Sequence, residues 1–199
     1  MKVAIASDHG GMNIRKEIIS LMEEMDIEYV DLGCECSTSV DYPDYAIPVA
    51  EKVASGEVNR GILICGTGIG MSIAANKVKG IRCALVHDMF SAKATREHND
   101  TNILAMGERV IGPGLARDIA KIWLTTPFEG GRHEARVNKV TTYEATHELN
   151  NDVCYARKEN GHESGSREIK MKFNKFVNSY ECSLGRTNRV YMPCYPYIF

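Results

Sequence analysis

The sequence predicts an α/β fold, a five-stranded parallel sheet covered by helices on both faces, in the manner of a Rossmann-like three-layer sandwich. Three observations carry this. Short apolar runs recur along the chain, segments with apolar residues near helical spacing separate them, and the residues just after the runs are polar and rich in glycine. Alternation of strand and helix favours parallel pairing with both faces covered, and such sheets take ligands beyond the carboxyl ends of their strands.

Val3 to Ala6 is unbroken and apolar and reads as the first strand; Met12 to Met25 follows as a helix, its apolar residues near helical spacing. Ile27 to Leu32 is the second strand and Tyr45 to Ala54 the second helix. Gly61 to Cys65 is the third strand, and Gly70 to Val78 the helix after a glycine-rich turn. Arg82 to Val86 and Met89 to Glu97 form the fourth strand and helix, and Asn102 to Met106 and Leu115 to Leu124 the fifth. The polar segments at the strand ends are Ser7-Asp8-His9-Gly10-Gly11, Cys65-Gly66-Thr67, His87-Asp88 and Gly107-Glu108-Arg109, and the fold brings these four to one rim.

Composition narrows the function. The chain has 199 residues and a formal charge of −2, so it has no bulk attraction for nucleic acid or an anionic membrane, and anion recognition must be local. A body of about 150 residues can bury roughly 68–70% of its unfolded surface, enough for a true core. No apolar run has the length of a leader or a membrane span, which predicts a cytoplasmic protein. Seven cysteines, odd in number and without a Cys-x-x-Cys pair, argue against a disulfide scaffold or a zinc ribbon. Residues 1–149 carry 16 Lys+Arg against 21 Asp+Glu, whereas 150–199 carry 8 against 5. That change divides the chain into a body, 1–149, and an extension, 150–199, in which only Arg167 to Val177 has the pattern of a short basic helix.

The run Cys65-Gly66-Thr67-Gly68-Ile69-Gly70-Met71 carries the most chemical information. A strand delivers one cysteine to a turn whose alternating glycines let successive amides point into one concavity, an arrangement that holds an oxyanion and favours a thiolate. Neither the phosphate-loop pattern nor the dinucleotide fingerprint fits, because the third glycine falls early and position 71 is methionine instead of lysine. The competing interpretation is a tight turn with an inert buried cysteine.

Other candidates each have an ordinary structural alternative. Asp8 and His9 can hold hydroxyls, or Asp8 can cap the next helix. Tyr42 can line a pocket or pack on Pro43. His98, in Arg96-Glu97-His98-Asn99-Asp100, can act as an acid or base near neutral pH, or meet the last helical carbonyls. Arg132 and Arg136 stand four apart, so on a helix their guanidiniums share a face and can fork a phosphate, or bind Glu129 and Glu134. Arg109 is a third cation for the same purpose.

Together, Ser7 to Gly11, Val40-Asp41-Tyr42-Pro43-Asp44, Cys65 to Gly70, Glu97 to Asp100 and Gly130-Gly131-Arg132-His133 resemble the type B ribose-5-phosphate isomerases, over about residues 1–149. The resemblance implies interconversion of ribose 5-phosphate and ribulose 5-phosphate through a cis-enediolate, with no metal and no cofactor, in a homodimer that can pair into a tetramer. It implies that Cys65 moves the proton between C1 and C2, that Thr67 bonds near the thiol, and that the amides of Gly66, Gly68, Ile69 and Gly70 receive the enediolate. It implies that His98 opens the sugar ring, that Asp8 and Asn99 hold hydroxyls, that His9, Arg109, Arg132 and Arg136 hold the phosphate, and that Tyr42 lines the pocket. Galactose-6-phosphate and allose-6-phosphate isomerases share the scaffold, and a non-catalytic phosphosugar-binding module is the alternative of a different class.

Overall fold

A computed structural model describes residues 1–35 and 38–147. The proposed extension and its basic helix lie outside the described residues. The elements are β1 (Lys2–Ser7), α1 (Met12–Glu24), β2 (Glu28–Asp31), α2 (Pro43–Ala54), β3 (Arg60–Cys65), α3 (Ile69–Ala75), β4 (Cys83–Leu85), α4 (Met89–Asn99), β5 (Ile103–Gly107), α5 (Pro113–Thr125) and α6 (Arg132–Thr146). The strands form one sheet in the order β2-β1-β3-β5-β4, every pair parallel, which is the expected Rossmann-like architecture.

Strand alternation sends side chains to two separate cores. Ile5, Ile62, Ile64, Leu104 and Met106 pack with residues of α1, α4 and α5, while Ala6, Leu63, Cys65, Ile103 and Ala105 pack with α2 and α3. α5 starts at Pro113, whose fixed φ suits the first helical position, and buries Ala116, Ile119, Ala120, Trp123 and Leu124 at helical spacing. Trp123 is fully buried; its indole N–H donates to Thr101 Oγ1 at 2.9 Å, and the guanidiniums of Arg60 and Arg96 lie 5.2 and 5.8 Å from its ring. Those contacts seat the last turn of α4 on α5.

Two elements differ from the sequence reading. The third helix ends at Ala75, short of Val78, because the Asn76 amide turns to other work: its Nδ2 donates to Ser72 O and Cys83 O, and its Oδ1 accepts from Cys83 N. This ties the helix end to β4 and stops it. The other difference is α6, which has no apolar stripe; His133 is its one buried residue, and Val140 and Tyr143 face outward. Its start is set by Gly130 and Gly131, with φ of +67° and +56°, values that L-residues with a Cβ rarely adopt. Among the described residues, no helix is long and apolar enough to cross a membrane.

Candidate active site

The register of the sheet builds the first cluster. β1, β3 and β5 are adjacent and parallel, so their carboxyl ends stand side by side, with Cys65 opposite Gly107 and Ser7 opposite Ile64. Backbone bonds stitch the turns together: Asp8 N–H donates to Ile64 O, Glu108 N–H to Cys65 O at 2.9 Å, and Arg109 N–H to Gly66 O at 3.0 Å. Glu108 also clasps α1, accepting from Asn13 N and Nδ2 and from Ile14 N at 2.7–3.0 Å. The segment His87-Asp88, by contrast, serves α4: the Asp88 carboxylate accepts from Ser91 N at 2.7 Å, a bond that holds this carboxyl below its ordinary range.

Cys65 is buried at the foot of this rim, and its Sγ accepts from Gly68 N at 3.0 Å. Gly68 has φ +77°, and a Cβ there would meet Leu85 Cδ1 at 2.5 Å and the Met106 carbonyl carbon at 2.8 Å. Only glycine fits. Thr67 is exposed and its Oγ1 accepts from Ile69 N at 3.3 Å. Two of the amides expected to face an oxyanion, Gly68 and Ile69, therefore already serve the loop's own sulfur and hydroxyl.

Around this loop stand Asp8, His9, Arg109 and Tyr42. Asp8 does not cap α1, whose N-cap is Gly11; its carboxylate instead accepts from Gly10 N at 2.8 Å. His9 Nδ1 accepts from Val40 N at 3.2 Å, which places the ring proton of the neutral tautomer on Nε2 as an outward donor. The Arg109 guanidinium lies over Gly66, its Nε 3.3 Å from where a Cβ would be, and the Tyr42 ring lies over Gly70 at 3.0 Å by the same measure.

The remaining candidates form a second cluster, at the other end of the sheet. α4 leaves the carboxyl end of β4 and returns to the amino end of β5, so the nine steps from Met89 carry His98 about 14 Å along the sheet, away from that rim. Arg82, just before β4, confirms the position: its Nε donates to Asn99 O and Asp100 O. His98 stacks on His133, with ring centroids 4.3 Å apart and planes within 9°. Arg132 Nε donates to His133 Nε2 at 3.3 Å, and Glu129 Oε2 lies 3.4 Å from the same nitrogen. Arg136 is exposed one turn further along α6, as is Arg132 at its start. Burial, then the neighbouring His98 and Arg132, lower the His133 pKa, against the pull of Glu129.

His98, Glu129 and His133 bring three donor atoms within 4.8 Å of one another. The stack suits a metal poorly. Imidazole lone pairs lie in the ring plane, so one ion at about 2.1 Å from both nitrogens would sit well out of each plane, beside two arginines. The positive charge suits an anion.

The description Ribose/Galactose Isomerase belongs to a family model that matches residues 3–140. This chain is a member of the ribose/galactose isomerase family. Its relatives include a Bacillus subtilis (strain 168) protein named "Putative sugar phosphate isomerase YwlF", 80% identical over 72% of this chain and 97% of that protein. Ribose-5-phosphate isomerase B of Escherichia coli (strain K12) is 49% identical over 72% of this chain and 96% of its own length. The solved structure of ribose-5-phosphate isomerase B from Clostridium thermocellum superposes with a TM-score of 0.72 at 53% identity, covering 73% of this chain and 99% of that one.

In this ribose/galactose isomerase, sequence reasoning passed over Glu108 and His133. Glu108 was readable as a carboxylate directly after a strand, and His133 as the neighbour of a candidate phosphate-binding arginine.

Proposed function

We propose that this aldose–ketose isomerase interconverts ribose 5-phosphate and ribulose 5-phosphate through a cis-enediolate, as a cytoplasmic homodimer. The observation that supports it most is Cys65 Sγ, presented at the carboxyl end of β3 within a turn whose backbone and flanking groups suit an anionic sugar. Its relatives' printed names point to the same substrate class.

In the proposed reaction His98 moves the proton that opens the furanose ring. The Cys65 thiolate takes the C2 hydrogen as a proton, and the electron pair left behind forms the C1–C2 double bond as O1 becomes negative. The proton then returns from sulfur to C1, and the O2 proton passes to O1. No electrons leave the sugar, so the balance needs no redox partner. Donors of the glycine loop that are not spent internally, with Thr67, meet the oxyanion. Asp8 and Asn99 bind hydroxyls, Tyr42 lines the pocket, and His9, Arg109, Arg132 and Arg136 hold the phosphate, whose binding energy serves the remote proton transfer.

One protomer holds these groups at two ends of its sheet, which favours a site completed by a second copy. The half-exposed Ile69 and Ile73 on α3, with Phe90 at 81% exposure, offer apolar surface for such a partner.

The test is Cys65→Ala with the full chain. Isomerisation is expected to fall by roughly 10³-fold or more while sugar-phosphate binding persists. Normal turnover would refute the role of the sulfur. A panel of ribose, galactose and allose phosphates decides the sugar, with preference for a hexose phosphate replacing the pentose assignment. Binding without solvent deuterium incorporation would indicate a non-catalytic module.

A further inference from the structure

We infer that His133 is a positioning residue for His98, a platform clamped by Arg132 whose ring face fixes the plane in which His98 meets the sugar. The inference rests on the assignment of His98 to ring opening.

His98 is half-buried on α4 and stacks on His133 at 4.3 Å and 9°. His133 is held in turn, being 5% exposed and fixed through Nε2 by Arg132 Nε. Because Nε2 accepts that bond, the ring proton sits on Nδ1 and the imidazole is neutral. Neutrality has a purpose here. A cation stacked on His98 would repel the imidazolium that His98 becomes on taking a proton. The charged and titratable groups facing His133 are His98 from α4, Glu129 from the segment before α6, and Arg132 and Arg136 from α6 itself. Burial and three of these four oppose its protonation, and Glu129 alone favours it.

Arg132 spends only Nε on His133, so its terminal nitrogens, the pair suited to forking an anion, are not used in holding the ring.

The experiment compares His133→Ala, which removes the platform, with His133→Phe, which keeps an aromatic face and discards the nitrogens. Two rates are measured on the full chain across pH: isomerisation of ribose 5-phosphate, which must open a ring, and solvent deuterium exchange at C1 of acyclic ribulose 5-phosphate, which needs only the sulfur step. His133→Ala is expected to lower isomerisation about tenfold or more and exchange by less than about threefold, with His133→Phe restoring most of the isomerisation and the wild-type pH profile. An unaffected His133→Ala overturns the inference, as do equal losses in both rates or a His133→Phe as damaged as the alanine variant. Absence of both rates in the wild-type protein would instead overturn the isomerase reading beneath it.

Discussion

The rim that carries Cys65 and the cluster that carries His98 are built by different means. The rim is a backbone structure: three parallel strands end in register, their turns are joined by main-chain hydrogen bonds, and glycines are required where another turn's backbone passes. The cluster is a side-chain structure, two stacked imidazoles and a guanidinium where α4 ends and α6 begins. The difference teaches that the proposed base and the proposed acid are anchored in separate frames. The first tolerates almost no change in the main chain, and the second depends on charge and on ring contact.

The sharpest way to break this comparison is subunit complementation. Cys65→Ala and His98→Asn are each expected to be inactive toward cyclic ribose 5-phosphate. Mixed and reassociated at random, they should recover about a quarter of wild-type activity, because in the proposed homodimer half of the pairs would be mixed and each of those would have one intact site. A mixture as inactive as its parents would mean that each protomer builds its site alone.

Next in size is a pair of glycine substitutions. Gly68→Ala adds a Cβ against the Met106 carbonyl at a positive φ, and is expected to destabilise by roughly 3 kcal/mol and to abolish activity. Gly130→Ala, also at positive φ but with open space around it, should cost only about 1 kcal/mol. Chemical denaturation of both separates them, and equal losses would remove the distinction between a clash with backbone and simple conformational cost.

The smallest effect is on pH. Because folding lowers the His133 pKa below 6.5, the unfolded chain binds the proton more readily. This contribution is fully present above about pH 7 and is lost as pH falls through 6.5 toward the folded value. Melting temperature is expected to fall more steeply over that interval in the wild type than in His133→Phe, and parallel curves would exclude the effect.

The strands were legible because each is a short apolar run, and the rim because glycine spacing and polar strand ends mark a ligand site in a parallel sheet. α6 was not legible as an element: Arg132, Glu134, Arg136, Lys139 and Glu144 leave no apolar stripe, and its one buried residue is a histidine. The motif around His98 is visible locally, and its place in space only through the topology. The connection rule contains it, since a helix between parallel strands must return to their amino ends and takes its last residues there. The stack of His98 on His133 joins residues 35 positions apart, and no local pattern encodes it.

Trp123 is the chain's single tryptophan, and its indole, with two guanidiniums close to its ring and its N–H bonded to Thr101, packs against the turn that bears His98. Its fluorescence is thus a built-in gauge with no competing emitter of its kind. A change in wavelength or quenching when copies separate, or when a sugar arrives, would register the seating of that turn directly, without a label.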